Sequence, residues 1–366
     1  MKLAIAFGTR PEIIKISSIV RVCNLDPRIE TVLISSGQHS ELNTMTMNDL
    51  GLHADHNLNL MSNNQELSQF GSRCLSAMHQ LLDDIKVDGL IVQGDTSTAL
   101  FSGLAAFNLG IPVFHVEAGL RSHDLSNPFP EEMNRACIAR FATFNFAPTQ
   151  NAFENLIKEN ISPEKILVTG NTVVDALQEL LKTSDLNTNY KTEIDKFQQN
   201  ILLTMHRREN HEALGDFLEH FTSFANTHPN VGVWLPAHPN PNVQMQLAKV
   251  SKKSQNLKIL GPLPYSEFIS ILSQMDLIVT DSGGVQEESI ALGKRVIIVR
   301  ETTERPEGLV TGLAKLFDIK SSNLAQELIS SLNYIQDKQD FSKVYGDGHA
   351  AARIVEKILE ISIVKK

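Results

Sequence analysis

Three carboxylates in the first half of the sequence stand where apolar runs end. Asp95 lies in Gln93-Gly94-Asp95-Thr96-Ser97, and Glu117 lies in His115-Val116-Glu117-Ala118-Gly119-Leu120-Arg121. Glu131 belongs to Pro130-Glu131-Glu132-Met133-Asn134-Arg135. Glutamate is rarely buried without a partner. Carboxylates crowded into one pocket raise one another's pKa values, which suits them to acid–base work. The plainer alternatives are a helix cap for Asp95 and surface ion pairs for all three. Upstream, Gly8-Thr9-Arg10-Pro11-Glu12 leads into a helix that carries Lys15, so Arg10 and Lys15 sit near a helix N-terminus suited to an anion.

The second half holds a different set. Met205-His206-Arg207-Arg208-Glu209-Asn210 follows the run ILLT, and a histidine beside two arginines can bind phosphate or protonate a leaving group. His238, in Ala237-His238-Pro239-Asn240-Pro241-Asn242, closes the next run. In Thr280-Asp281-Ser282-Gly283-Gly284-Val285-Gln286-Glu287-Glu288 a strand runs through Ser-Gly-Gly into a helix. There the backbone amides of Gly283 and Gly284 can approach an anion, Ser282 can add a hydroxyl, and the helix dipole adds favourable charge. This is neither a Walker A loop nor a dinucleotide GxGxxG, so ATPases and NAD enzymes are not supported. Glu288 could accept both hydroxyls of a ribose, against the alternative of a solvated helix carboxylate. Arg305, in Glu304-Arg305-Pro306, adds a cation, and Pro264, in Pro262-Leu263-Pro264-Tyr265, would suit a flat base.

Loops of this kind need strands to place them. KLAIAF, ETVLIS, GLIVQ, PVFHV, KILVTG, ILLTM, VGVWLP, LKILG, LIVT and RVIIV are mostly continuous apolar runs, the mark of strands buried on both faces of a parallel sheet. Amphipathic stretches at residues 64–85, 97–109 and 213–227 alternate with them, and a last helix is expected near 350–361. The rhythm predicts an α/β fold of two doubly wound parallel-sheet domains. They are read as residues 1–170 and 171–349, joined in or near the polar stretch 183–199. Ligands of such sheets bind beyond the carboxyl ends of the strands, where the polar clusters fall.

Composition narrows the partners. The 366 residues carry 33 Lys and Arg against 42 Asp and Glu, a net charge of −9, which argues against nucleic acid. No apolar stretch approaches the ~20 residues that span a bilayer, and no signal peptide precedes the first strand, so a cytoplasmic, non-membrane protein is expected. Cys23, Cys74 and Cys137 have no paired spacing and are read as buried thiols. The residues together point to chemistry on a nucleotide-linked small molecule, with neither metal nor redox cofactor.

Taken in order, GTRPE (8–12) with Lys15, GDT (94–96), HVEAGLR (115–121), PEEMNR (130–135), HRRE (206–209), HPNPN (238–242), DSGGVQEE (281–288), TTERPE (302–307) and YGDG (345–348) resemble the non-hydrolysing UDP-N-acetylglucosamine 2-epimerases. The resemblance implies two Rossmann-like domains facing a cleft in the GT-B manner, a homodimer, and a final helix, about 350–366, packed back on the first domain. It implies that Ser282, Gly283, Gly284, Arg10, His206 and Arg305 hold the diphosphate of a UDP-sugar, with Lys15 and Pro264 in the same site and Glu288 on the ribose. Asp95, Glu117, Glu131 and His206 match the family's catalytic residues. Some members bind a second UDP-N-acetylglucosamine as an activator, and Gln38, Arg73, Glu132, Arg207 and His238 sit near where it would lie. Ser40 stands where a basic residue is common, and Gln93 where a histidine is common.

The implied reaction is C2 epimerisation through elimination of UDP to 2-acetamidoglucal and readdition, serving cell-surface polysaccharide precursors. The alternatives are a hydrolysing 2-epimerase, which releases N-acetylmannosamine and UDP, and an epimerase of a related UDP-2-acetamido sugar.

Overall fold

The apolar runs pair into two all-parallel sheets in a computed structural model of the chain, which describes residues 1–37, 41–61, 65–183, 188–237, 240–250, 253–334 and 343–364. The first unit comprises Met1–Gln178 with Tyr345–Lys366, and the second is Glu179–Val344. In the first unit lie β1 (Lys2–Phe7), β2 (Glu30–Ser35), β3 (His56–Asn57), β4 (Gly89–Gln93), β5 (Val113–Val116), β6 (Phe144–Ala147) and β7 (Ile166–Val168). Their order in space is β3-β2-β1-β4-β5-β6-β7. The second unit holds β8 (Gln199–Thr204), β9 (Val231–Pro236), β10 (Leu257–Leu260), β11 (Leu277–Thr280), β12 (Arg295–Ile298) and β13 (Ala314–Leu316). Their order is β10-β9-β8-β11-β12-β13.

Both faces of each sheet are covered, which is why the strands read as unbroken apolar runs. Leu3, Ile5 and Phe7 of β1 face a core built with Ile13, Ile16 and Ile19 of helix Arg10–Leu25 and with Ile354 and Ile358 of helix Ala350–Val364. Ala4 and Ala6 face the other way, toward Met78 and Leu82 of helix Leu67–Ile85 and Ala99 of helix Ser97–Asn108. In the second unit Ile201, Leu203 and Val233 pack on Phe217 and Phe221 of helix Leu214–Thr227. On the opposite face Leu202, Trp234 and Ile278 are also buried.

The order of each sheet reverses at one place, between β1 and β4 in the first unit and between β8 and β11 in the second. Loops leaving such a point diverge and open the crevice where ligands of doubly wound sheets bind. Those loops are Gly8–Thr9 with Gly94–Thr96, and Met205–Arg207 with Asp281–Ser282.

Three strands were not among the expected runs. β3 and β13 are two- and three-residue edge strands, and β6 reads FNFA, with an asparagine and no β-branched residue. Two of the three thiols, Cys23 and Cys74, are buried as expected, but Cys137 is exposed on the outer side of helix Glu131–Phe141. Among the described residues no helix is long and apolar enough to cross a membrane.

Candidate functional site

The first unit builds its polar cluster from the ends of β1, β4 and β5. A Cβ on Gly8 would lie 2.5 Å from both Ser36 Oγ and Thr98 Oγ1, so a larger residue where β1 turns into its helix would have to displace both hydroxyls. Glu12, in the first turn, reaches back into that turn. Its Oε2 accepts from the N–H of Gly8 at 3.0 Å, the N–H of Thr9 at 2.7 Å and the Thr9 hydroxyl at 2.7 Å. Its Oε1 accepts from the Thr96 hydroxyl at 2.7 Å, which ties the loop after β1 to the loop after β4 across the switch point. Burial pushes the Glu12 carboxyl up to about 7, opposed but not overcome by these hydrogen bonds.

Asp95 is not the cap of the helix that follows. Thr96 fills that position, its hydroxyl accepting from the Ala99 N–H at 3.0 Å. The Asp95 carboxylate instead pairs with the buried guanidinium of Arg135, and its carbonyl accepts from Asn134 Nδ2 at 2.8 Å. Glu131 opens the helix that carries Asn134 and Arg135, one turn before Arg135 and on the same face.

Glu117 follows β5, whose Val116 pairs with Gln93 of β4, so Asp95 and Glu117 leave the sheet side by side. Its backbone is left-handed, φ 65°, a sparsely populated conformation for a residue with a Cβ. The side chain is buried and accepts from Lys15 Nζ at 2.5 Å and Gln93 Nε2 at 2.8 Å. Arg121, four residues on, donates twice to Glu159, at 2.6 and 2.8 Å, and anchors the loop to the C-terminal end of helix Gln150–Lys158. His115 is fully buried, its Nε2 is 2.8 Å from the Gly94 carbonyl, and burial pushes it down to about 4.

In the second unit β8 and β11 are paired, with Thr204 opposite Thr280 and their hydroxyls 2.6 Å apart. His206 follows β8 and Asp281 follows β11, and His206 Nδ1 lies 3.2 Å from Asp281 Oδ1. Burial alone would push the fully buried Asp281 up. Hydrogen bonds from His206, the Arg207 N–H and Asn210, with the histidine's charge, outweigh it and bring the carboxyl down to about 2. Ser282 caps helix Gly283–Ala291, whose first-turn amides point out of the helix N-terminus. The guanidinium of Arg305 packs directly against Gly283, where a Cβ would lie 2.6 Å from Nη1 and 2.7 Å from Cζ. Arg305 is held there by Glu287 at 2.6 Å and Glu304 at 2.5 Å, and Glu304 also accepts from Arg300 at 2.8 Å. Glu288 is buried in the same helix, so it is not a solvated carboxylate.

The remaining candidates are dispersed. Arg10 opens its helix, half-buried, and Lys15 faces Glu117 rather than solvent. Arg73 is exposed and pairs with Gln65, while Glu132 is buried and accepts from the His123 N–H at 3.0 Å. The Arg207 N–H donates to Asp281 at 3.0 Å, and Pro264 caps helix Tyr265–Ser273. Gln38 and His238 lie outside the described residues. Among those described, no cluster of three His, Cys, Asp or Glu is placed to hold a metal. Sequence reading assigned no role to Glu12, Arg135 or Asp281. Only Glu12 carries a local signal, as the fourth residue of Thr9-x-x-Glu12 at a helix start.

Residues 21–359 match the family profile of the UDP-N-acetylglucosamine 2-epimerases. The chain is similar to the UDP-N-acetylglucosamine 2-epimerase of Salmonella typhimurium, with 38% identity over 98% of both chains. Its fold is similar to the crystal structure of the Neisseria meningitidis enzyme bound to UDP-GlcNAc, with TM-score 0.91, 34% identity, and coverage of 98% of this chain and 100% of that one. The Methanocaldococcus jannaschii enzyme, in complex with UDP-GlcNAc and UDP, aligns with TM-score 0.87 and 34% identity over 98% of this chain and 100% of that one.

Proposed function

Because the chain belongs to the UDP-N-acetylglucosamine 2-epimerase family, we propose that it catalyses the non-hydrolysing, reversible reaction, interconverting UDP-N-acetylglucosamine and UDP-N-acetylmannosamine. C2–H is not acidic while the anomeric bond is intact. Stretching C1–O builds positive charge at C1 and acidifies C2–H. A carboxylate then takes the proton as UDP leaves, giving 2-acetamidoglucal. Inversion returns a proton to the opposite face before UDP adds back across the double bond, which calls for two acid–base groups or a reoriented intermediate.

The observation that carries the reading is the placement of Asp95 and Glu117 after paired residues of neighbouring strands, each beside a cation. With Glu131 they supply the proton carriers, and Lys15 holds the Glu117 side chain in place. The Ser282 hydroxyl and the amides of Gly283 and Gly284, with Arg10, Arg305 and His206, stabilise the departing diphosphate. Glu288 takes the ribose, and Pro264 lies against the base. The full Gly8-Thr9-Arg10-Pro11-Glu12 loop, braced by Glu12, favours the non-hydrolysing course over the hydrolysing one. The same reading gives a cytoplasmic homodimer serving cell-surface polysaccharide synthesis. It also gives a second UDP-N-acetylglucosamine site as activator near Arg73, Glu132 and Arg207.

Incubation with UDP-N-acetylglucosamine in deuterated water, followed by proton NMR, tests it. The expected product is a mixture of the two UDP-sugars with deuterium at C2, formed equally well in EDTA. Free N-acetylmannosamine and UDP as main products would reject the reading in favour of the hydrolysing reaction.

A further inference from the structure

His206 is held by a carboxylate that belongs to a different strand end. Asp281 follows β11, and its oxygens accept from the His206 N–H at 3.2 and 3.1 Å, the Arg207 N–H at 3.0 Å and Asn210 Nδ2 at 3.0 Å. Asn210 Nδ2 also donates to the Val299 carbonyl at 3.2 Å, just past β12, so the clamp spans three adjacent strand ends. The ring contact, Nδ1 to Oδ1 at 3.2 Å, completes the set. A carboxylate with this many donors is ionised, in line with its depressed pKa. An ionised carboxylate can only accept, so the ring nitrogen facing it carries the proton.

We infer that Asp281 is a positioning residue for His206: it fixes the plane of the ring and keeps a proton on Nδ1, so that Nε2 is the nitrogen that meets a diphosphate or leaving oxygen. The inference rests on the assignment of His206 to the reaction proposed above. It deepens that assignment by saying which nitrogen works and what sets it. Asparagine at 281 could still accept the backbone N–H groups through Oδ1. Its amide would then donate toward Nδ1, moving the neutral ring's proton to Nε2, and the negative charge that supports a doubly protonated, donating ring would be lost.

Three measurements test this. In wild-type protein carrying 15N-histidine, at a pH where the ring is neutral, the signals lost in His206→Ala are expected to show the Nδ1–H tautomer. Asp281→Asn is expected to switch them to Nε2–H and to lower kcat about 100-fold, with KM changed less than about threefold. The double variant His206→Ala/Asp281→Asn is expected to be no slower than His206→Ala alone, because the aspartate acts only through the ring. A wild-type Nε2–H tautomer would overturn the proposal, and that result needs no variant to fold. So would an unchanged tautomer in Asp281→Asn, or a loss that multiplies with that of His206→Ala. If the wild type fails to epimerise UDP-N-acetylglucosamine, the reaction reading falls, while the tautomer data still decide the role of Asp281.

Discussion

Glu117 is left-handed at φ 65° and buried at the end of β5, a backbone state that costs about 1–3 kcal/mol and persists only where its surroundings over-determine it. Lys15 and Gln93, from the helix after β1 and from β4, supply that determination. Lys15→Met should therefore destabilise the protein by about 3 kcal/mol in urea at pH 7, because a buried carboxylate loses its cation. Lys15→Met combined with Glu117→Gln should recover most of the loss. Equal losses in the single and double variants would mean that the ammonium contributes packing rather than charge. Glu12 makes a prediction of opposite electrostatic sign. Its folded pKa of about 7 lies above the ordinary 4.5, so the folded chain keeps a proton that the unfolded chain has given up. Stability from this group is full below pH 4.5 and is lost as the pH rises through 7, by about 3 kcal/mol at 1.36 per unit. Glu12→Gln resembles the protonated form: its carbonyl can take the Gly8 and Thr9 donors and its amide can face the Thr96 hydroxyl. The stability of wild type minus that of Glu12→Gln should fall by this amount between pH 4.5 and 7.5, and a flat difference would refute the assignment.

At the scale of elements, each sheet places a carboxylate bridge across its switch point: Glu12 to Thr96 in one, Asp281 to His206 in the other. The helix after β11 adds a second constraint, because Arg305 lies under Gly283 with two glutamates fixing its guanidinium. Gly283→Ala should push Arg305 aside and raise the Kd for UDP about 10-fold or more, the worth of one charge-assisted hydrogen bond. Gly284→Ala meets nothing within 4 Å and serves as the control that should leave the fold intact. Equal UDP affinity in wild type and Gly283→Ala would remove Arg305 from the proposed diphosphate site. Strand positions and the loops behind them were legible in the sequence because strands buried on both faces are continuous apolar runs, and a polar residue at the end of such a run stands out. β3 and β13 were not, since short edge strands bury little, and β6 hides because Phe144-Asn145-Phe146-Ala147 lacks β-branched residues. The partners of the site residues were illegible for a different reason. Lys15 and Glu117 are 102 residues apart and His206 and Asp281 are 75 apart, so only the order of strands brings each pair together.

At the scale of the whole molecule, the first unit is discontinuous in sequence, since the chain leaves it after Gln178 and returns at Tyr345. The return is built from close contacts. The Asn171 N–H donates to the Tyr345 carbonyl at 2.7 Å, and a Cβ on Gly346 would lie 3.0 Å from the Gly170 Cα. Asp175 accepts from the Ala350 and Ala351 N–H groups at 3.2 and 2.9 Å, capping the last helix. That helix then contributes Ala351, Ile354, Val355, Ile358 and Leu359 to the same core as Ile13, Ile16 and Ile19. At about 1.5–3 kcal/mol for each large apolar side chain, the helix supplies stability on the order of a whole domain's margin. Ile358 is fully buried, so Ile358→Ala should cost the first unit about 3 kcal/mol. The protein carries its own probe for the second unit: its single tryptophan, Trp234, is buried in β9 and donates to Asn200 Oδ1 at 2.8 Å. In Ile358→Ala the urea transition seen by far-ultraviolet circular dichroism should begin earlier, while the Trp234 fluorescence transition stays where it is in wild type. A matching shift in both signals would mean that the two units unfold as one, and that the last helix stabilises the molecule as a whole rather than the unit it completes.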